Sequence, residues 1–127
     1  MENNKKKYLL FKKRKGEIDK ILFKNINWCE VDRNVVSVID IFGIIHKKKM
    51  SLIALIGLLD DDFMQVHESF VVKKNRIARQ NEDQFRNLWI YLKTKKNNEY
   101  QKISVSRDYK KIVKVLISQN KRIKEYK

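Results

Sequence analysis

The sequence contains 127 residues, which is enough for one globular core but too few for two of ordinary size, so we expect a single domain. Lys and Arg number 30 against 15 Asp and Glu, and the resulting net charge of +15 favours a polyanionic partner, with nucleic acid preferred over acidic lipid. The longest uncharged stretch, residues 50–59, is too short to cross a bilayer, no secretory signal is visible, and the single cysteine, Cys29, excludes an internal disulfide. These features predict a cytoplasmic protein without a transmembrane segment.

The distribution of the positive charge bears on whether it forms a binding surface. A lysine-rich composition alone can produce nothing more than a well-hydrated surface. Here the positive excess lies in separate clusters, whereas residues 30–45 and 51–69 are neutral or acidic. The clusters cover residues 5–15, 47–49, 73–79, 93–102 and 110–127. This clustering favours a basic binding face.

Short runs of apolar residues predict successive β-strands in the first half of the chain. The predicted strands cover residues 8–12, 18–24, 26–31, 35–42 and 44–48. We expect a turn at residues 32–34. Both faces of the fourth strand are largely apolar, so we expect this strand to be covered on both sides.

A short helix is predicted next, because Ser51 is a suitable N-cap and apolar residues then recur at helical spacing. They are Leu52, Leu55, Ile56 and Leu59. The consecutive aspartates at residues 60–62 end the predicted helix, and we expect them to form a solvated turn rather than a cation site.

The second half of the chain returns to strands and ends in a helix. Strands are predicted at residues 63–66, 70–72, 76–80, 88–92 and 102–105, with a basic turn at 93–98. Ser106 is a candidate cap for the final helix, whose predicted apolar stripe comprises Tyr109, Ile112, Val113 and Leu116. Trp28, Trp89 and Tyr91 fall within strands and are expected to be core or half-buried rather than platforms for single-stranded bases. The fold class is therefore predicted to be mainly β with two short helices.

The sequence offers little support for catalysis or cofactor binding. Cys29, His46 and His67 lack the close spacing of a metal site or a catalytic cluster, and the few glycines form no phosphate-binding loop. Cys29 lies in an apolar strand, so we expect an inert buried thiol rather than an oxidant sensor. We expect no enzyme activity, no cofactor and no small-molecule substrate.

Several segments in order resemble the motifs of the LytTR family of DNA-binding domains. Residues 63–73, Phe-Met-Gln-Val-His-Glu-Ser-Phe-Val-Val-Lys, resemble its central "His-x-Ser-aromatic-Val/Ile-Val-Asn" motif. Residues 26–30 resemble an "Ile-x-aromatic-x-Glu" strand, and residues 50–52 a "Ser-Leu" helix start. Residues 103–111 are similar to the closing "Pro-Val-Ser-Arg-x-Tyr-Lys" motif. The resemblance covers roughly residues 8–117.

The resemblance implies an elongated arrangement of small antiparallel sheets that lies along duplex DNA and inserts loops into successive major grooves. It implies a sequence-specific transcription regulator of bacterial, response-regulator-like type, here without a receiver domain of its own. It also implies binding to direct repeats, with a homodimer on DNA. The corresponding domain spans residues 8–118, between a flexible basic tail at 1–7 and a basic tail at 119–127.

The resemblance also assigns DNA contacts to particular residues. The three contact positions of the family fall at Arg33 and Asn34, at Glu68 beside Ser69, and at Arg107, and the further candidate DNA contacts are His67, Lys73, Lys74, Asn75 and Lys110. The closing-motif arginine, Arg107, is supported by its chemistry, because a guanidinium at a helix start can donate a bidentate pair to guanine. Without the motif, Arg107 would be expected to be a surface arginine paired with Asp108 or Glu99.

Two residues depart from the family pattern. Glu68 stands where the family usually has Arg or Asn, and Lys73 stands where it usually has Asn. Either base specificity is altered or these contacts are lost. The Glu68 carboxylate can accept a hydrogen bond from cytosine N4, whereas the additional positive charge of Lys73 favours contacts with phosphates over base recognition. His67 matches the motif, and we expect it to be a hydrogen-bonded structural histidine rather than a base contact.

Two functions are alternatives to a DNA-binding regulator. The first is a protein-interaction module that modulates another regulator or a membrane partner and has only non-specific nucleic-acid affinity. The second is an RNA-binding protein.

Overall fold

A computed structural model describes residues 7–96, 99–119 and 124–126 of the chain, and it is mainly β. The strands are β1 Tyr8–Lys12, β2 Ile18–Leu22, β3 Ile26–Asp32, β4 Val35–Asp40, β5 Ile45–Lys49, β6 Phe63–His67, β7 Phe70–Lys73, β8 Ile77–Glu82, β9 Leu88–Lys93, β10 Tyr100–Val105 and β11 Lys124–Tyr126. The helices are α1 Leu52–Leu58 and α2 Arg107–Ser118. The predicted fold class is confirmed.

The described strands form a hairpin and two larger sheets. β1 pairs with β2, and the central sheet has the antiparallel order β5-β4-β3-β7-β6. The last sheet has the order β10-β9-β8-β11, in which β11 runs parallel to β8. The sequence analysis did not predict β11. Of the two predicted tails, residues 1–6, 120–123 and 127 lie outside the described residues.

The central sheet carries a hydrophobic core on each face, because successive side chains of a strand point to opposite sides. On one face, residues such as Cys29, Val38 and Val71 pack with the β1–β2 hairpin and with Leu55 of α1. On the other face, residues such as Val66 pack with the last sheet and with α2. Neighbouring residues of β7 enter different cores, so one strand contributes to both.

The prediction that β4 is covered on both sides is wrong. Val36, Val38 and Asp40 are buried, whereas Val35 is exposed and Ile39 is half-buried. The reason is that the last sheet and α2 lie over β6, β7 and part of β3, and the core between them contains no residue of β4. The second face of β4 is therefore only partly shielded.

Both helices begin near the predicted serines, but their side chains behave differently. The Ser51 hydroxyl accepts a hydrogen bond from the Ala54 amide at 3.1 Å, so the predicted cap of α1 is confirmed. Ser106 has the backbone conformation of an N-cap, yet its hydroxyl accepts no hydrogen bond within the described residues. Its predicted side-chain cap is therefore absent from the described structure.

The apolar stripe of α2 differs from the predicted one at a single position. Val113 and Ile117 are buried, and Tyr109 and Leu116 pack against the same core. Ile112 is 59% exposed, because its position on the helix turns it away from the sheet. Ile117 replaces Ile112 in the buried stripe. Neither described helix is long and apolar enough to cross a lipid bilayer.

Trp28, Trp89 and Tyr91 were predicted to be core or half-buried, and all three are half-buried. Trp28 packs edge-on against Phe70 beside the second core, with ring centroids 5.8 Å apart. Trp89 lies on the outer face of the last sheet, where the Lys102 ammonium is 4.2 Å from its ring centroid. Tyr91 has the Arg79 guanidinium 4.7 Å from its ring centroid. Cations therefore cover the rings of Trp89 and Tyr91, whereas Trp28 packs against another aromatic ring.

An acidic residue at the end of β8 joins the last sheet to α2. The Glu82 carboxylate is ion-paired with Lys110 and, at 2.8 Å, with Lys114. Hydrogen bonds from the two ammonium groups lower the pKa of Glu82 to about 2. Because this pKa lies below the value of 4.5 for the free side chain, the contacts stabilise the folded protein above about pH 4.5 and are lost as the pH falls towards 2.

We therefore expect Glu82→Gln to lower the free energy of unfolding at pH 7, with a difference from wild type that shrinks between pH 4.5 and 2. Urea unfolding of both proteins at a series of pH values measures this difference. A difference that stays constant down to pH 2 would contradict the role of the charge.

The Cys29 thiol lies in the first core with no exposed surface. Burial raises its pKa from 9.0 to about 12, so the thiolate that reacts with oxidants is scarce at neutral pH. The prediction of an inert buried thiol agrees with this position.

Native protein at pH 8 should therefore leave Cys29 unmodified by a thiol-reactive chromogenic disulfide, because both access and thiolate formation are suppressed. Under denaturing conditions the reagent should label this single cysteine in full. Rapid labelling of the native protein would show that the β3 region opens or that the thiol is accessible.

Candidate nucleic-acid interface

The β3–β4 turn places Arg33 and Asn34 at one end of the central sheet. Both residues have positive φ angles, 51° and 61°, which is the conformation that a two-residue type I′ hairpin requires. Asparagine adopts this conformation readily, whereas arginine does so less often. Both side chains are exposed, and neither forms a hydrogen bond with another described residue. The Asn34 carbonyl accepts a hydrogen bond from the Met50 amide at 2.8 Å, which fixes the turn against the start of α1.

The β6–β7 turn places Glu68 and Ser69 beside the first turn. The Val31 amide of β3 donates a hydrogen bond to the Ser69 carbonyl at 2.8 Å. This bond extends the β3–β7 pairing to the end of the sheet where β3 turns into β4. The Glu68 side chain is exposed at this end.

His67 holds the β6–β7 turn in shape. Its Nδ1 accepts a hydrogen bond from the Ser69 amide at 3.0 Å, and its ring lies 4.6 Å from the ring of Phe70. The Glu68 carboxylate is 3.6 Å from the same nitrogen, which is too long for a hydrogen bond, so we assign this nitrogen to the Ser69 amide. Because Nδ1 is the acceptor, a neutral ring carries its proton on Nε2. This geometry favours the structural role for His67.

The start of α2 lies beside the same turn. The Ser106 amide donates a hydrogen bond to the Val66 carbonyl at 2.9 Å, which brings the first residue of α2, Arg107, next to the end of β6. Arg107 is exposed and forms no ion pair with Asp108, Glu99 or any other described residue. The expected surface pairing of Arg107 is thus absent from the described structure.

These turns together form one surface, which we call the contact edge. It consists of Arg33, Asn34, Glu68, Ser69 and Arg107. Lys49 adds positive charge at its border, because this exposed lysine pairs with Val35 at the start of β4. The edge therefore presents guanidinium, amide, hydroxyl and carboxylate groups to solvent, with donors and acceptors both available.

Lys73, Lys74 and Asn75 do not belong to the contact edge. They lie at the opposite end of β7, whose four residues separate the two ends by roughly 10 Å. The Lys73 side chain is only 5% exposed, and its ammonium donates a hydrogen bond to the Phe23 carbonyl at 2.8 Å. Burial lowers the pKa of Lys73. The Lys73 ammonium is therefore bound within the protein, and a DNA contact at Lys73 stays a prediction.

Lys110, another predicted DNA contact, lies in the first turn of α2. Its ammonium is ion-paired with Glu82 and donates a hydrogen bond to the Arg86 carbonyl at 2.6 Å. Lys110 thus connects α2 to the β8–β9 turn, and its donors already have partners within the protein.

The sequence analysis missed the β8–β9 turn, which lies beside the contact edge. Phe85 and Arg86 line a recess of about 310 Å³ together with Arg107 and Lys110. The segment between the two strands contains Asp83 and Asn87, residue types that favour turns, and this was the available signal. The described residues contain no group of His, Cys, Asp and Glu side chains suited to a metal ion.

Comparison with known proteins agrees with the fold. The family described as "LytTr DNA-binding domain" matches residues 16–118. The LytTr DNA-binding domain of a methyl-accepting/DNA response regulator from Bacillus cereus is similar in structure, with a TM-score of 0.71 and 22% sequence identity over 87% of this chain and 96% of that chain. None of the curated proteins searched matches this chain. Because the family match covers most of the sequence, the chain belongs to the LytTr DNA-binding domain family.

Proposed function

We propose that this protein is a transcription regulator that binds double-stranded DNA sequence-specifically through the contact edge. The observation that carries the proposal is the pair of backbone hydrogen bonds, Val31 to Ser69 and Ser106 to Val66, that joins turns from distant parts of the sequence. Membership of a DNA-binding family and the net charge of +15 support DNA as the partner.

The side chains of the contact edge suit the edges of base pairs in a major groove. Arg107 can donate a bidentate pair to guanine O6 and N7, and Asn34 can bind adenine N6 and N7 in the same way. Arg33, which precedes Asn34 in the β3–β4 turn, carries a second exposed guanidinium in addition to that of Arg107. Glu68 is a poor neighbour for phosphate but can accept a hydrogen bond from cytosine N4. We assign base recognition to these residues and place Lys74, Asn75 and Lys110 outside the direct contacts.

Lysines that border the contact edge, such as Lys49, contribute affinity rather than base choice. Cations that neutralise phosphates release counterions, so binding should weaken steeply as the salt concentration rises. Turns that enter successive major grooves would span one face of the duplex, and a homodimer on direct repeats would double the recognised length. We propose that this binding takes place in the cytoplasm and that the protein has no catalytic activity.

A protein-interaction function is the second candidate, and exposed apolar residues at the far end of the molecule favour it. Phe42, Ile44 and Ile45 are each more than half exposed around the β4–β5 turn, opposite the contact edge. A module of this kind would retain salt-dependent DNA affinity without any sequence preference. Competition by structured RNA as effective as by duplex DNA would indicate the RNA-binding alternative instead.

Arg107→Ala should weaken binding to the preferred duplex by roughly 5- to 150-fold, because one bidentate base contact is lost. The duplex is first selected from genomic fragments bound by the wild-type protein, and affinity is then measured by fluorescence anisotropy. Lys95→Ala is the matched control, since this exposed lysine lies in the β9–β10 turn at the other end of the last sheet. Equal affinities for wild type and Arg107→Ala would remove Arg107 from base recognition.

Glu68→Ala should lower affinity for the selected duplex and raise affinity for a random-sequence duplex. The first effect follows from loss of a cytosine contact, and the second from removal of a negative charge near phosphates. Both affinities are measured at the same salt concentration. A gain on both duplexes would show that Glu68 opposes DNA binding without reading a base.

A further inference from the structure

The β8–β9 turn is held rigidly by one aspartate. The Asp83 carboxylate accepts hydrogen bonds from the amides of Phe85 and Asn87, both at 2.9 Å, and from the Trp89 indole nitrogen at 3.2 Å. The Asp83 backbone also donates to the Asn87 carbonyl at 2.9 Å and accepts from the Arg86 amide at 3.0 Å. A turn fixed by this many bonds presents its side chains in defined directions.

Two of those side chains project into solvent without support from the fold. Phe85 is 73% exposed, so its ring contributes little to the core. Arg86 is also exposed, its side chain has no partner within the described residues, and its φ angle is 65°. Glycine would satisfy this backbone conformation without strain. The fold itself therefore requires neither side chain at its position.

The turn is fixed close to Arg107. Lys110, one helical turn after Arg107 begins α2, donates a hydrogen bond to the Arg86 carbonyl at 2.6 Å. Phe85 and Arg86 line one side of the recess of about 310 Å³ whose other side contains Arg107 and Lys110. DNA that reaches Arg107 thus approaches the turn as well.

We propose that the β8–β9 turn is an additional DNA-binding element, in which Arg86 contacts a backbone phosphate and Phe85 packs against a thymine methyl group flanking the base pair contacted by Arg107. This inference rests on the proposed function. Phenylalanine suits the apolar thymine methyl, and an unpaired guanidinium suits a phosphate. Lys110 is then a positioning residue that holds the turn against α2.

Salt titrations on the selected duplex separate the two contacts. Arg86→Gly should make the slope of log K against log salt concentration less steep by about 0.9, because one phosphate contact is lost. Glycine also relieves the positive φ angle, so the melting temperature should be unchanged or higher, and reduced binding would not reflect unfolding.

Phe85→Ala should leave the slope unchanged and weaken binding roughly tenfold, with the effect confined to duplexes that carry thymine at the flanking position.

Matched controls come from the opposite end of the molecule. Phe42 is 54% exposed in the β4–β5 turn, and Lys95 is exposed in the β9–β10 turn. Phe42→Ala and Lys95→Ala should bind as wild type in both slope and affinity.

The outcomes distinguish this inference from the proposed function. If Arg107→Ala loses affinity while Phe85→Ala and Arg86→Gly bind as wild type, the turn makes no contact and the inference is overturned, but the proposed function stands. If wild-type protein prefers no sequence, the proposed function fails. The change of slope for Arg86→Gly on a random-sequence duplex would then still show whether this turn meets phosphate.

Discussion

Strand β3 pairs with β4 on one side and with β7 on the other, and the position of the contact edge depends on this double pairing. Cys29 sits in the middle of β3, opposite Val38 of β4 and Val71 of β7. The residues at the end of β3 therefore fix two turns at once, the one that continues into β4 and the one that precedes β7. Burial on both faces of the sheet prevents a shift in register, because a shift by one residue would bring buried side chains to the wrong face.

Membership of the family and the position of most strands could be predicted from the sequence, because the apolar alternation is strong and the motifs occur in order. The faces that each element buries were harder to predict. Ile112 fits a helical stripe as well as Ile117 does, and only the position of the last sheet decides between them. Likewise, both faces of β4 are largely apolar in sequence, and this pattern does not reveal that the last sheet covers β6 and β7 instead of β4.

The positions of lysines in the sequence gave little information about which ammonium groups are bound within the protein itself. Lys73 lies in a basic cluster but is buried against the Phe23 carbonyl, and Lys110 lies in the closing motif but is ion-paired with Glu82. Motif order singled out Arg107 in the sequence, but only the hydrogen bond from Ser106 to Val66 places it beside the β6–β7 turn. Such contacts join residues that are far apart in the sequence, so local patterns do not reveal them.

The turns of the contact edge are held by backbone groups and by the half-buried His67, whereas the exposed side chains on them hold little of the fold. The Ser69 and Asn34 carbonyls and the Ser106 amide make the stabilising bonds, and almost any residue can supply these groups. Arg33, Glu68 and Arg107 can consequently be exchanged with small effects on folding. If the contact edge reads base pairs as proposed, a few substitutions there would change the recognised sequence while the scaffold stays stable.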